Sequence, residues 1–104
     1  LDFTYTRGYD AVYNHPAETV ALREAVSINL PELQVVNVPP RMGAEDFTYY
    51  LQKKPGTFFF VGGGNESINA IYPHHHPKFD VDEQSMINTG TVFIEALKLH
   101  GVVR

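Results

Sequence analysis

The sequence contains no cysteine and no tryptophan. Without cysteine, disulfides and a thiolate nucleophile are excluded, and the redox compartment is left open. No apolar run approaches the length of a membrane span, so no membrane partner is expected. Neither sign of charge dominates. Eight Lys and Arg stand against twelve Asp and Glu, for a formal net charge of -4, which leaves no basic footprint for nucleic acid. No N-terminal signal pattern is present, and the cytoplasm is the expected compartment. The first residue is Leu1 rather than Met, so a processed or truncated piece is expected. What is present is a hydrophobic fraction of 43% in 104 residues. That suffices for one small domain with a core and argues against disorder.

Residues 1–14 alternate Leu1, Phe3, Tyr5 and Arg7 with Asp2, Thr4 and Thr6. A period of two predicts a strand with one buried face, with Gly8 as a bulge. Asn14-His15-Pro16 punctuates the chain and opens a predicted helix over 16–29, which Leu30-Pro31 stops. Residues 34–38 are β-branched and predict a short strand. Residues 45–53 predict a short amphipathic helix, acidic at its start and basic at its end. Residues 57–61 form a continuous apolar run, the pattern of a strand buried on both faces, and Gly62-Gly63-Gly64-Asn65 follows it. The closing helix begins at Asp80 and Glu83, spaced as an acidic capping box, and ends at Gly101. Gly90 within it predicts close packing against another backbone. The order strand, helix, strand, helix, strand, loop, helix predicts an α/β fold, with a helix-covered mixed or parallel sheet.

Chemistry concentrates in a few places. His74, His75 and His76 lie between Tyr72-Pro73 and Pro77. Neutral imidazole is the commonest protein ligand for zinc and similar metals. Adjacent side chains of an extended loop point to opposite sides, so one metal is not held by all three. One histidine as a ligand, with the rest of the shell from elsewhere, is the better geometry; a solvated histidine-rich loop is the competing reading. Glu45 and Asp46 follow Gly43 at a helix start, where acids also cap ordinary helices. Gly62, Gly63 and Gly64 follow a buried strand, where ligands approach the backbone of α/β folds, but no Walker lysine or dinucleotide spacing accompanies them. Asp80, Asp82 and Glu83 lack the spacing of a calcium loop. Ser67 and Ser85 lack a nucleophile elbow. Metal-activated water is therefore the most natural chemistry for an enzyme built on this chain.

Met42-Gly43-Ala44-Glu45-Asp46-Phe47, then Pro55-Gly56-Thr57-Phe58-Phe59-Phe60-Val61-Gly62, then His75-His76-Pro77-Lys78-Phe79-Asp80-Val81-Asp82-Glu83 together resemble the C-terminal end of the hippurate hydrolase and aminoacylase-like amidohydrolases. These belong to a wider metallo-carboxypeptidase superfamily. Tyr9 to Pro16 is similar to that family as well, so the resemblance covers essentially the whole chain. It implies that residues 1–14 are the last strand of a lid or dimerisation domain, and residues 15–104 the C-terminal part of a zinc-peptidase-like catalytic domain. It implies amide hydrolysis of N-acyl amino acids or related conjugates at a site for two divalent metals, zinc or manganese. A homodimer or self-associating fragment is expected, because an orphan strand with an open edge at residues 1–14 pairs with another chain. The histidine before the x-Pro-x-aromatic stretch, the metal ligand, maps onto His75; His74 and His76 map onto positions that do not bind the metal. Glu45 and Asp46 fall on an acidic pair lining the site, and Gly62, Gly63 and Gly64 on a turn bordering the cleft for substrate. The remaining ligands and the glutamate base of the family have no counterpart in these residues, so the chain alone is expected to be inactive. The readings that compete with this one are a non-catalytic module binding metal or a partner through the loop 74–76, and an anion-binding domain using the triple glycine.

Overall fold

A computed structural model describes residues 1–104. Its secondary structure is helical: α1 (Pro16–Asn29), α2 (Thr48–Leu51) and α3 (Gln84–Leu99), with a 3-10 turn at Glu66–Ile68. Helix α1 begins where the sequence places it, because Pro16 supplies a fixed φ at a position whose N–H has no helical partner. Helix α2 is a single turn, shorter than the expected 45–53. The carboxylate of Glu45 is turned back on the Phe47 N–H (3.1 Å) instead of serving a longer helix. Helix α3 ends as its sequence requires. Gly101 has φ +67°, its N–H donates to Lys98 O and the Val102 N–H to Leu97 O, a Schellman closure that favours glycine. The start of α3 differs from expectation. No box forms between Asp80 and Glu83; the carboxylate of Asp82 accepts the Gln84 N–H (2.9 Å), since Glu83 itself is already helical in φ and ψ. Gly90 has open space where a side chain would sit, so it marks no close approach within the chain.

The core is the seam between α1 and α3. Leu22 and Val26 from one helix meet Val92 from the other, and Leu30, Leu33, Val35, Phe59 and Ala96 pack around them. Glu95 lies in the same seam, 4% exposed. Its carboxylate accepts from Lys98 Nζ (2.9 Å) and Asn29 Nδ2 (2.7 Å), so both oxygens are satisfied. These bonds, Lys98 first and Asn29 second, hold its pKa below the ordinary 4.5 against the opposing effect of burial. A carboxylate favoured in its charged form by folding stabilises the fold at neutral pH, and that contribution is lost as pH falls below 4.5 through the depressed value. Glu95→Gln in the full-length protein is therefore expected to lower the urea midpoint at pH 7 and to narrow its gap from the unsubstituted protein toward pH 3. Parallel midpoints across that range would contradict the assignment.

The segments read as strands run without a ladder. The only β-type pairing is an isolated antiparallel bridge between Asn65 and Ala70. Strands exist by pairing, and periodicity in one segment does not supply the partner. In residues 1–14 the expected buried face is open: Leu1, Phe3 and Tyr5 are exposed. In 57–61, Phe59 packs on Phe93 of α3 (ring centroids 5.7 Å), whereas Phe60 is 65% exposed, so one face is covered and the other is not. The backbone of Phe59, Phe60 and Val61 makes no hydrogen bond within the chain. The radius of gyration is 16.7 Å, against about 13 Å for a compact domain of this length. Residues 57–61 are nevertheless firmly placed. Asn14 bonds both backbone groups of Phe58, donating to its O (2.8 Å) and accepting from its N (2.7 Å). The His15 N–H donates to Gly56 O (3.0 Å). Asn14 thus does for one residue what a neighbouring strand does for many.

Candidate functional site

The triple-glycine turn and the histidine loop, separate in sequence, meet beside the start of α3. Between them lies an open cleft of about 310 Å3 whose walls include Gly63, Gly64, Tyr72, His74, Asp80 and Ser85. The walls come close at the glycines. A side chain on Gly63 would stand 3.3 Å from Val81, and one on Gly64 would reach 3.6 Å from Ala70 O. Gly62 faces open space and does not line the cleft. Glu45 and Asp46 do not line it either; they belong to the turn before α2, where Glu45 is half-buried and Asp46 exposed.

The loop between the walls distinguishes its three histidines. The His76 ring stacks on Tyr72 (4.4 Å, 13° between planes), and its Nδ1 accepts the Lys78 N–H at 3.0 Å. The His74 ring stands edge-on to Phe79 at 4.8 Å. Both flanking imidazoles therefore serve to hold the loop in shape. His75 is exposed, as both neighbours are, and its ring, 6.5 Å from that of His74 and edge-on to it, makes no hydrogen bond; it is not among the residues lining the cleft, which His74 lines. Its φ is +68°, a left-handed conformation that costs a residue other than glycine about 1–3 kcal/mol. His75 sits inside the turn closed by the His76 N–H on Pro73 O (3.1 Å). The left-handed backbone is what sets His75 apart from its two neighbours.

The base of the loop is closed by groups the sequence reading passed over. Asn65 and Ala70 exchange both backbone bonds at 2.9 Å. Asn65 Nδ2 donates to Asp82 Oδ2 (2.6 Å), and the Asp82 N–H donates to Gly63 O (2.8 Å). Asn65 Oδ1 accepts from the backbone and hydroxyl of Ser67. The pKa of Asp82 is lowered, chiefly by the bond from Asn65 and then by that from Gln84. The sequence held one signal of this: an asparagine directly after a glycine turn, a position that favours side-chain to backbone bonding.

No group of three or more His, Asp or Glu side chains converges within the chain. The free imidazole of His75 fits a metal as a single donor, and a catalytic centre of that kind takes about three protein ligands.

The comparisons agree in scale. "Putative amidohydrolase YhaA" of Bacillus subtilis is 46% identical over 95 residues, which span 91% of this chain and 24% of that protein. Thermostable carboxypeptidase 1 of Saccharolobus solfataricus is 45% identical over 75 residues, 72% of this chain and 18% of the relative. N-acetyl-L-cysteine deacetylase of B. subtilis is 34% identical over 85 residues, 82% and 19% respectively. The chain thus spans about a quarter or less of the length of these relatives. No solved structure matches it. A family model described as peptidase family M20/M25/M40 matches residues 1–99, nearly end to end and across both walls of the cleft, and the chain belongs to that family.

Proposed function

We propose that the full-length protein is a metal-dependent amidohydrolase that removes the acyl group from N-acyl amino acids or related conjugates, and that this chain contributes one wall of its active site. The observation carrying the reading is His75, an exposed imidazole without a hydrogen bond at φ +68°, in a chain belonging to a hydrolase family that is generally metal-dependent. The relatives' names support the bond type: an amidohydrolase, a carboxypeptidase and a deacetylase all cleave an amide.

A bound divalent cation, zinc or manganese and two per complete site, would supply an activated water and polarise the amide carbonyl. His75 would donate one imidazole nitrogen to it. Gly63 and Gly64 keep the wall free of side chains, so that a substrate could approach the backbone. Glu45 and Asp46 stand outside this cleft and would border the site only together with segments beyond these residues.

The same proposal accounts for the open faces. Residues 34–38 and 57–61 would be strands of a helix-covered sheet whose partner strands lie elsewhere in the protein, and residues 1–14 would be the last strand of a lid or dimerisation domain. Bare backbone at 59–61 and exposed side chains in 1–14 support this, since unpaired edges recruit other strands. A homodimeric, cytoplasmic protein fits the reading. No helix is long and apolar enough to cross a membrane.

The test uses the full-length protein against a panel of N-acetyl, N-benzoyl and dipeptide substrates, before and after chelation. Release of the free amino acid, abolished by chelator and restored by zinc or manganese, is the expected outcome. Hydrolysis insensitive to chelator would overturn the metal assignment. Inertness of the metal-loaded protein toward the whole panel would overturn the substrate class.

A further inference from the structure

The loop bearing His75 leaves the glycine wall at Ala70 and returns to it at Asp82, and one residue meets both ends. The backbone of Asn65 pairs with Ala70, and its side chain donates to Asp82 at 2.6 Å. Asp82 in turn caps α3 through the Gln84 N–H and ties back to Gly63 O. From this closure we propose that Asn65 and Asp82 are positioning residues: together they pin the base of the loop and so set where the His75 imidazole stands for a divalent cation. The proposal rests on His75 being a metal ligand, as argued above.

The bonding has a polarity that makes the pair testable. Asp82 offers only acceptors, one oxygen to Asn65 Nδ2 and the other to the Gln84 N–H. Asn65 offers one donor to Asp82 and one acceptor to Ser67. In Asp82→Asn, one oxygen and one NH2 replace two oxygens. Either orientation of the new amide sets a donor against a donor, at Asn65 Nδ2 or at the Gln84 N–H. In Asn65→Asp, two carboxylates face each other across the 2.6 Å contact. Combined, the two changes restore every bond: the carboxylate now at 65 accepts from Ser67 and from the amide now at 82, whose oxygen accepts the Gln84 N–H. A bulk structural role for either side chain predicts no such reciprocity, because the swap leaves shape and volume nearly unchanged in all three variants.

The experiment is a zinc titration of the metal-stripped full-length protein and of its N65D, D82N and N65D/D82N variants, with H75A alongside and circular dichroism as a check on folding. Each single substitution is expected to weaken zinc binding about 10–100-fold, the usual cost of removing a group that orients a metal ligand. The double swap is expected to recover most of that loss. H75A is expected to be weaker than either. Folded single variants that bind zinc like the unsubstituted protein would overturn the proposal while leaving His75 in place, provided H75A still loses zinc. If H75A keeps full affinity, the site reading itself fails. Should the single variants not fold, the double swap decides: recovery of native affinity supports the tie, and a folded swap with weakened zinc binding overturns it.

Discussion

Replacing His75 with alanine in the full-length protein will cut amide hydrolysis by orders of magnitude and lower metal occupancy, while His74→Ala and His76→Ala act more mildly. The ranking follows from what each ring touches. His76 is spent on Tyr72 and on the Lys78 N–H, and His74 on Phe79. Their loss loosens the loop, an effect of the kind that costs about 10–100-fold in metal affinity when a supporting group is removed. His75 makes no hydrogen bond for the fold to lose. Its substitution removes a donor atom and leaves the turn bond from the His76 N–H to Pro73 O intact. Atomic absorption on the purified variant, with turnover measured in parallel, separates the cases. Normal metal content and normal turnover in His75→Ala would remove the basis for the proposed function.

The second large effect is on stability. Leu22→Ala is expected to cost about 2–5 kcal/mol, the range for truncating a packed leucine. Leu22 has no redundancy. The buried cluster consists of Leu22, Val26 and Val92, and it joins the only pair of helices in extensive contact. A cavity there cannot be filled cheaply from either helix, because Glu95 occupies the adjoining seam and is held by Asn29 and Lys98. The consequence reaches the cleft, because α3 begins at the residues that close the histidine loop. Urea unfolding of the full-length variant gives the measurement. A midpoint unchanged from the unsubstituted protein would mean that the seam is not where the chain derives its cohesion.

Much of this was written in local chemistry. Pro16 and the spacing of Leu22 and Val26 suffice for α1, and Gly101 for the end of α3, because a helix satisfies its backbone within itself and its signals lie a few residues apart. The match of the three motif blocks to an amidohydrolase family was likewise a property of the residue string, and the family assignment agrees with it. Tertiary structure decided what depends on partners. Residues 57–61 carry the composition of a strand, yet a strand needs a neighbour, and in this chain Asn14 alone provides one. Asp80 and Glu83 had the spacing of a cap, but φ and ψ at Glu83 handed that task to Asp82. Three identical imidazoles cannot be ranked by residue type. The motif that follows them singled out His75, and the fold adds what each ring meets: one stacks on Tyr72, another stands against Phe79, and the backbone bends at His75 itself. The Asn65 to Asp82 tie spans 17 residues, and no local pattern encodes a bond between side chains whose meeting depends on the path of the loop between them.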